Sequence, residues 1–89
     1  MTNDWIPCKC QLPKKDGSYL TTVKHSNKFS SIMILGFVKD LYKFDKYEFE
    51  EYKGKKQSGW YNHDSEYGTY EVHGVTAWQE LPTLYKEEN

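Results

Sequence analysis

No run of apolar residues in this 89-residue chain approaches the roughly 20 that a membrane-spanning helix needs. The opening MTNDWIP has neither the cationic flank nor the apolar centre of a secretory leader, so the chain is expected to remain cytoplasmic, away from any membrane. Cysteine is scarce, with two in all, and in a reducing compartment both are expected to be free thiols. A surplus of one charge is missing too: 12 basic side chains stand against 13 acidic ones. Such a chain lacks the broad positive field of non-specific nucleic-acid binding, and is not acidic enough to imitate DNA. Lys53, Lys55 and Lys56 follow Glu48, Glu50 and Glu51, which reads as a mixed solvated face. The sequence shows no low-complexity stretch, linker or internal repeat, and residues 1–89 read as one domain. G-x-S-x-G, G-x-x-x-x-G-K-[ST] and G-x-G-x-x-G are all missing, which argues against an enzyme and against a cofactor.

What the chain does have is rings. Aromatic residues make up 17% of it, eight of them tyrosine. A domain this small buries only roughly 60 to 65% of its unfolded surface, so rings that each remove about 150 to 250 Å² from water must supply much of the core. Tyrosine also carries a hydroxyl that needs a partner, which favours sheet rims and interfaces.

Pro7 and Pro13 bracket an N-terminal segment that cannot be a helix interior and is expected to be extended. A turn at Asp16 and Gly17 leads into a strand with Leu20 on one face and Tyr19, Thr21 and Val23 on the other. After a polar loop around Ser26 to Ser30, SIMILGFV is a second strand, apolar on both faces and so central or covered. Residues 40–54 fit two periods. Leu41, Phe44, Glu48 and Tyr52 share a helical face, whereas Tyr42 and Phe44, then Tyr47 and Phe49, alternate as in a hairpin. The intervening Glu and Lys, with Gly54 as C-cap, favour a short helix. SGWYNHDSEYG is a strand running into a turn, and TYEVHGVTAWQELP a last strand whose alternation is reset by a bulge at Gly74. The expected class is α+β: an antiparallel sheet of about four strands with at most one short helix, and all-β as the close alternative.

Cys8 and Cys10 would share a face of an extended chain, a geometry in which two thiolates could meet one zinc with His63 and His73 completing a tetrahedron. The C-x-C spacing is not the C-x(2–4)-C of structural sites, and the two thiols are expected to pack rather than ligate, with no metal. Trp60, Tyr61, Tyr67, Tyr70 and Trp78 form a denser aromatic group than a core needs, threaded by Asn62, His63, Asp64, Ser65 and Glu66. Rings flanked by short polar groups suit recognition, so Trp60, Tyr61, His63, Asp64, Glu66, Tyr67 and Tyr70 are the candidate binding residues. The competing assignment puts Trp60 and Trp78 in the core and the tyrosines along a sheet edge.

The motifs W-I-P-x-x-x-x-L-P (Trp5 to Pro13), D-G-S-Y-L-T-T-V (Asp16 to Val23), G-W-Y-x-x-D-S-E-Y-G-x-Y (Gly59 to Tyr70) and V-T-A-W-x-x-L-P (Val75 to Pro82) occur in that order. Together they resemble a family of small phage and prophage proteins known as a domain of unknown function. Its members carry an aliphatic residue where Cys8 stands and a polar one near Cys10, which supports packing for the thiols. WQELPTLY also lacks two prolines of the family's W-x-P-L-P-E-P-Y, implying a less rigid tail after Pro82. The terminal motifs suggest neighbouring strands that stack Trp5 and Trp78 over one core.

The resemblance implies a setting and no mechanism. With the aromatic surface, it leads to the expectation of a non-enzymatic accessory protein that binds a host or phage protein and counters a host defence. The alternative is a protein that sequesters a small ligand, a nucleotide or signalling molecule, between rings, and such a protein would form a homo-oligomer.

Overall fold

A computed structural model of the protein describes residues 4–82. Six strands, β1 (Ile6–Pro7), β2 (Gly17–Ser26), β3 (Phe29–Val38), β4 (Gly59–Asp64), β5 (Gly68–Val72) and β6 (Val75–Glu80), form one antiparallel sheet in the order β1-β6-β2-β3-β4-β5. The only helical structure among the described residues is a single α-turn, α1 (Leu41–Phe44), and a 3-10 turn (Glu50–Tyr52). With 49% strand against 9% helix, the fold is essentially all-β, and the expected α+β class with about four strands is corrected. Two strands were hidden in the sequence. β1 has only two residues, and the single last strand expected over TYEVHGVTAWQELP is two strands, paired on opposite sides of the sheet.

That last stretch shapes the molecule. β5 and β6 run in the same direction, joined only by His73 and Gly74, yet β4, β3 and β2 lie between them in the sheet. From Val72 to Val75 the chain reaches at most about 11 Å. Four strand spacings in a flat sheet would be about 19 Å. The sheet must therefore curl until its ends approach, with Gly74 (φ 89°) as the corner. Alternation is indeed reset there, since Val72 and Val75 both face the core. The register shift itself falls one step further on, where Thr22 and Val23 pair with Ala77 and Val75.

The concave side holds the main core: Tyr19, Val23, Leu35, Phe37, Trp60 and Trp78, with Ile6, Cys8, Met33, Val72 and Val75 packed around it. Tyr19 links the two indoles edge-on, with ring centroids 6.1 Å from Trp60 and 5.2 Å from Trp78. Its hydroxyl donates to the Lys15 carbonyl at 2.7 Å. Thr21, fully buried in the same strand, donates to the Met33 carbonyl at 2.7 Å, so its burial leaves no polar atom unpaired. The alternation of Tyr19, Thr21 and Val23 against Leu20 is as the sequence pattern implies.

Residues 40–52 form a partial second layer on the convex side. Asp40 accepts from the Lys43 amide at 3.2 Å, and Asp45 accepts from the Tyr47 and Glu48 amides at 3.1 Å each. DLYKF and DKYEF are thus two successive turns, each opened by an aspartate. The short helix expected to run to Gly54 is cut at Asp45 because that side chain takes over the amides that continuing the helix would need. Leu41 and Phe49 are buried against Val38, with Tyr52 and Tyr61 at the margin. Gly54 does adopt the left-handed conformation (φ 76°) expected of a capping glycine.

The terminal strands are neighbours, as the paired motifs suggested, with Ile6 opposite Trp78. The stacking differs: Trp78 is buried, whereas Trp5 lies at the surface and Ile6 faces the core in its stead. The expected loosening after Pro82 concerns residues outside those described. No helix among the described residues is long and apolar enough to cross a membrane.

Candidate functional site

β4 and β5 make a hairpin that leaves the sheet. β3 pairs with β4 only from Gly36↔Tyr61 to Val38↔Gly59, whereas β4 and β5 remain paired out to Asp64↔Gly68. Beyond Tyr61 the two strands form an arm. Its tip is set by Asp64, whose Oδ1 accepts from the Glu66 amide at 2.7 Å and the Tyr67 amide at 3.0 Å, and by Gly68 at φ 82°. A three-residue loop closed by a left-handed glycine is a standard hairpin solution.

The seven candidate residues separate by place. Trp60 is buried under the arm's base, edge-on to Phe37 at 4.9 Å, and belongs to the core. Tyr61 lies on the convex face, 4.3 Å from the Phe44 ring, and joins the sheet to the second layer. Asp64 is the turn's internal acceptor. The remaining four stand on the arm itself. Tyr67 is 80% exposed and Tyr70 44%, its hydroxyl accepting from Asn62 Nδ2 at 3.3 Å. His63, exposed, lies 3.1 Å from the Thr69 hydroxyl through Nδ1, and Glu66 is exposed beside Tyr67. The arm therefore presents two phenol rings, an imidazole and a carboxylate on a backbone held by its own hydrogen bonds.

Gly36 makes room for Tyr61. A Cβ there would run into the Tyr61 ring, so Gly36→Ala is expected to push that ring off Phe44. The cost should be about 1 to 3 kcal/mol, read as a lower melting temperature. An unchanged melt would show that the ring has another place to go.

Behind the arm, Tyr52 donates to Glu71 Oε1 at 2.6 Å, and His73 lies 3.6 Å from the same oxygen. The hydrogen bond to the Glu71 carboxylate, with smaller contributions from burial and from nearby negative charge, pushes the Tyr52 hydroxyl up to about 12. It stays a neutral donor at physiological pH, tying the second layer to β5.

The thiols do not share a strand face. The chain turns after Pro7, whose carbonyl accepts from the Cys10 and Gln11 amides at 3.0 and 3.1 Å. Cys8 packs against the core and Cys10 faces solvent. Burial raises the Cys8 pKa, away from the thiolate that nucleophilic or metal chemistry uses.

The concave side also has two open grooves. One, of about 530 Å³, runs past Lys14, Lys15, Asp16, Tyr19, Trp78 and Glu80. A second, of about 280 Å³, lies between Cys8, Phe37, Trp60 and Val72. Neither is lined by Tyr67, Tyr70, His63 or Glu66. The DxYxF pair was the main signal overlooked in the sequence, since two aspartates five residues apart, each two before a tyrosine, mark repeated turns.

These features define a small curled-sheet protein with a projecting aromatic hairpin. By sequence the chain belongs to a family described as protein of unknown function (DUF551), which it matches over residues 4–83. No curated protein and no solved structure matches it.

Proposed function

We propose that the protein is a non-enzymatic binding module that holds another protein against the β4–β5 arm. The observation that carries this reading is the pair Tyr67 and Tyr70, exposed on a hairpin whose turn is braced by Asp64. Tyrosine gives large contact area at little entropic cost, and rings displayed on a pre-formed hairpin lose little more on binding. Resemblance to small phage and prophage proteins supplies the setting: a partner from the host or the phage, met in the infected cell's cytosol, with interference in a host defence as the use.

Capture of a nucleotide or signalling molecule between rings is the weaker reading. Phe44 and Tyr61 already close on each other at 4.3 Å, which leaves no slot for a base between them.

The double substitution Y67S/Y70S is expected to reduce retention of the protein that co-purifies with the tagged chain from infected cells by at least about tenfold, the effect of losing one interface hot spot. Its melting temperature should stay within about 3 °C, since both rings are exposed. Equal retention by the variant would remove the arm from the interface.

A further inference from the structure

The sheet has a third edge, and it is the least protected. β3 is hydrogen-bonded to β2 along its length, but on its other side it meets β4 only at Gly36–Val38. From Ser30 to Leu35 that side has no backbone partner among the described residues. The two terminal edges are blunted in the usual ways: β1 has two residues and ends in Pro7, while β5 has five, with Gly68 and Glu71 among them. Ser30-Ser31-Ile32-Met33-Ile34-Leu35 has no charge, no proline and no glycine. On its convex face Ile32 is 64% and Ile34 59% exposed, beside Leu20 and Thr22 of β2. An open, uncharged, β-branched edge of this kind is a template for another strand.

We infer that this edge is a dimer interface, in which β3 of one copy pairs antiparallel with β3 of a second copy about a two-fold axis. A two-fold interface must be complementary to itself, and an uncharged strand meets its own image without like-charge repulsion. At longer range, a net charge of −1 per chain raises no barrier to the approach of two copies. Faces stay aligned when residues of the same parity lie opposite one another, which gathers Ile32 and Ile34 of both copies into one convex apolar strip. The inference rests on a different edge from the arm's tyrosines and stands apart from the partner proposed above.

Sedimentation velocity of the full chain tests it. The wild type is expected to pass from monomer to dimer as concentration rises. I32K/I34K, with four lysines within cross-strand reach in the dimer, should weaken association by at least about tenfold. Both positions are solvent-exposed, so the dilute variant should melt as the wild type does. Amide exchange provides a readout that needs no variant: alternate amides between Ser30 and Leu35 should slow as the wild type is concentrated. A monomer at every concentration, a dimer indifferent to the lysines, or edge amides that exchange alike in dilute and concentrated samples would overturn the inference.

Discussion

Trp78→Ala is expected to cost about 3 to 5 kcal/mol, a large part of the roughly 5 to 15 kcal/mol that holds a small domain folded. Trp78 is 4% exposed, pairs with Thr21 on one side and Ile6 on the other, and meets Tyr19 edge-on. Removing the indole therefore leaves a cavity where three strands converge. Its Nε1 also donates to the Gln11 carbonyl at 2.8 Å, fastening the loop after β1 to the core. Trp78→Phe keeps most of the packing and gives up that bond, so it should cost about 1 kcal/mol beyond the change in ring size. Trp5→Ala, at a site 37% exposed, should cost well under half as much as Trp78→Ala. Urea unfolding of the three variants gives the ranking. If Trp5→Ala were as damaging as Trp78→Ala, the two indoles would share the core after all, as the paired Leu-Pro motifs first suggested.

Strand identity was legible wherever one face is buried and the other is not. In β2 the alternation of Tyr19, Thr21 and Val23 with Leu20 marked both the strand and its inward face. β3 was legible as a strand, but SIMILGFV, apolar throughout, did not say which face would be covered. In the fold its convex side is covered at Gly36 and Val38 and open at Ile32 and Ile34, a difference made by where residues 40–52 settle. Pairing partners were less accessible still. No local signal says that β5 and β6 belong to different parts of the sheet, because both read as one run and the separation arises from their pairing with different strands, β5 with β4 and β6 with the distant β2. The candidate site divided for the same reason. An aromatic cluster in sequence places Trp60 and Tyr67 near each other, yet alternation along β4 and the turn at Asp64 send the first into the core and the second to the tip.

Gly74→Ala is the substitution that should act most directly on topology. Gly74 sits at φ 89°, and a Cβ there would lie 2.7 Å from the Lys24 carbonyl oxygen, a backbone atom that cannot swing aside. The Lys24 amide donates to the Gly74 carbonyl at 2.8 Å, so the corner is stitched to β2 at the contact that a methyl group would force apart. A left-handed alanine costs about 1 to 2 kcal/mol and overpacking about 1 to 3, which together give about 2 to 5 kcal/mol. Gly54→Ala is the matched control. It too has a positive φ, 76°, but no atom lies within 4 Å of the added carbon, so only the backbone cost of about 1 to 2 kcal/mol applies. The difference between the two variants in chemical denaturation isolates the close approach of β5–β6 to β2. Because only two residues join those strands, a corner that opens cannot be absorbed by slack in a loop. The displacement must appear as a weaker Val23↔Val75 pairing and faster exchange of the Lys24 amide. Equal destabilisation by the two alanines would mean that the curl is held by the aromatic core alone and that the glycine corner merely follows it.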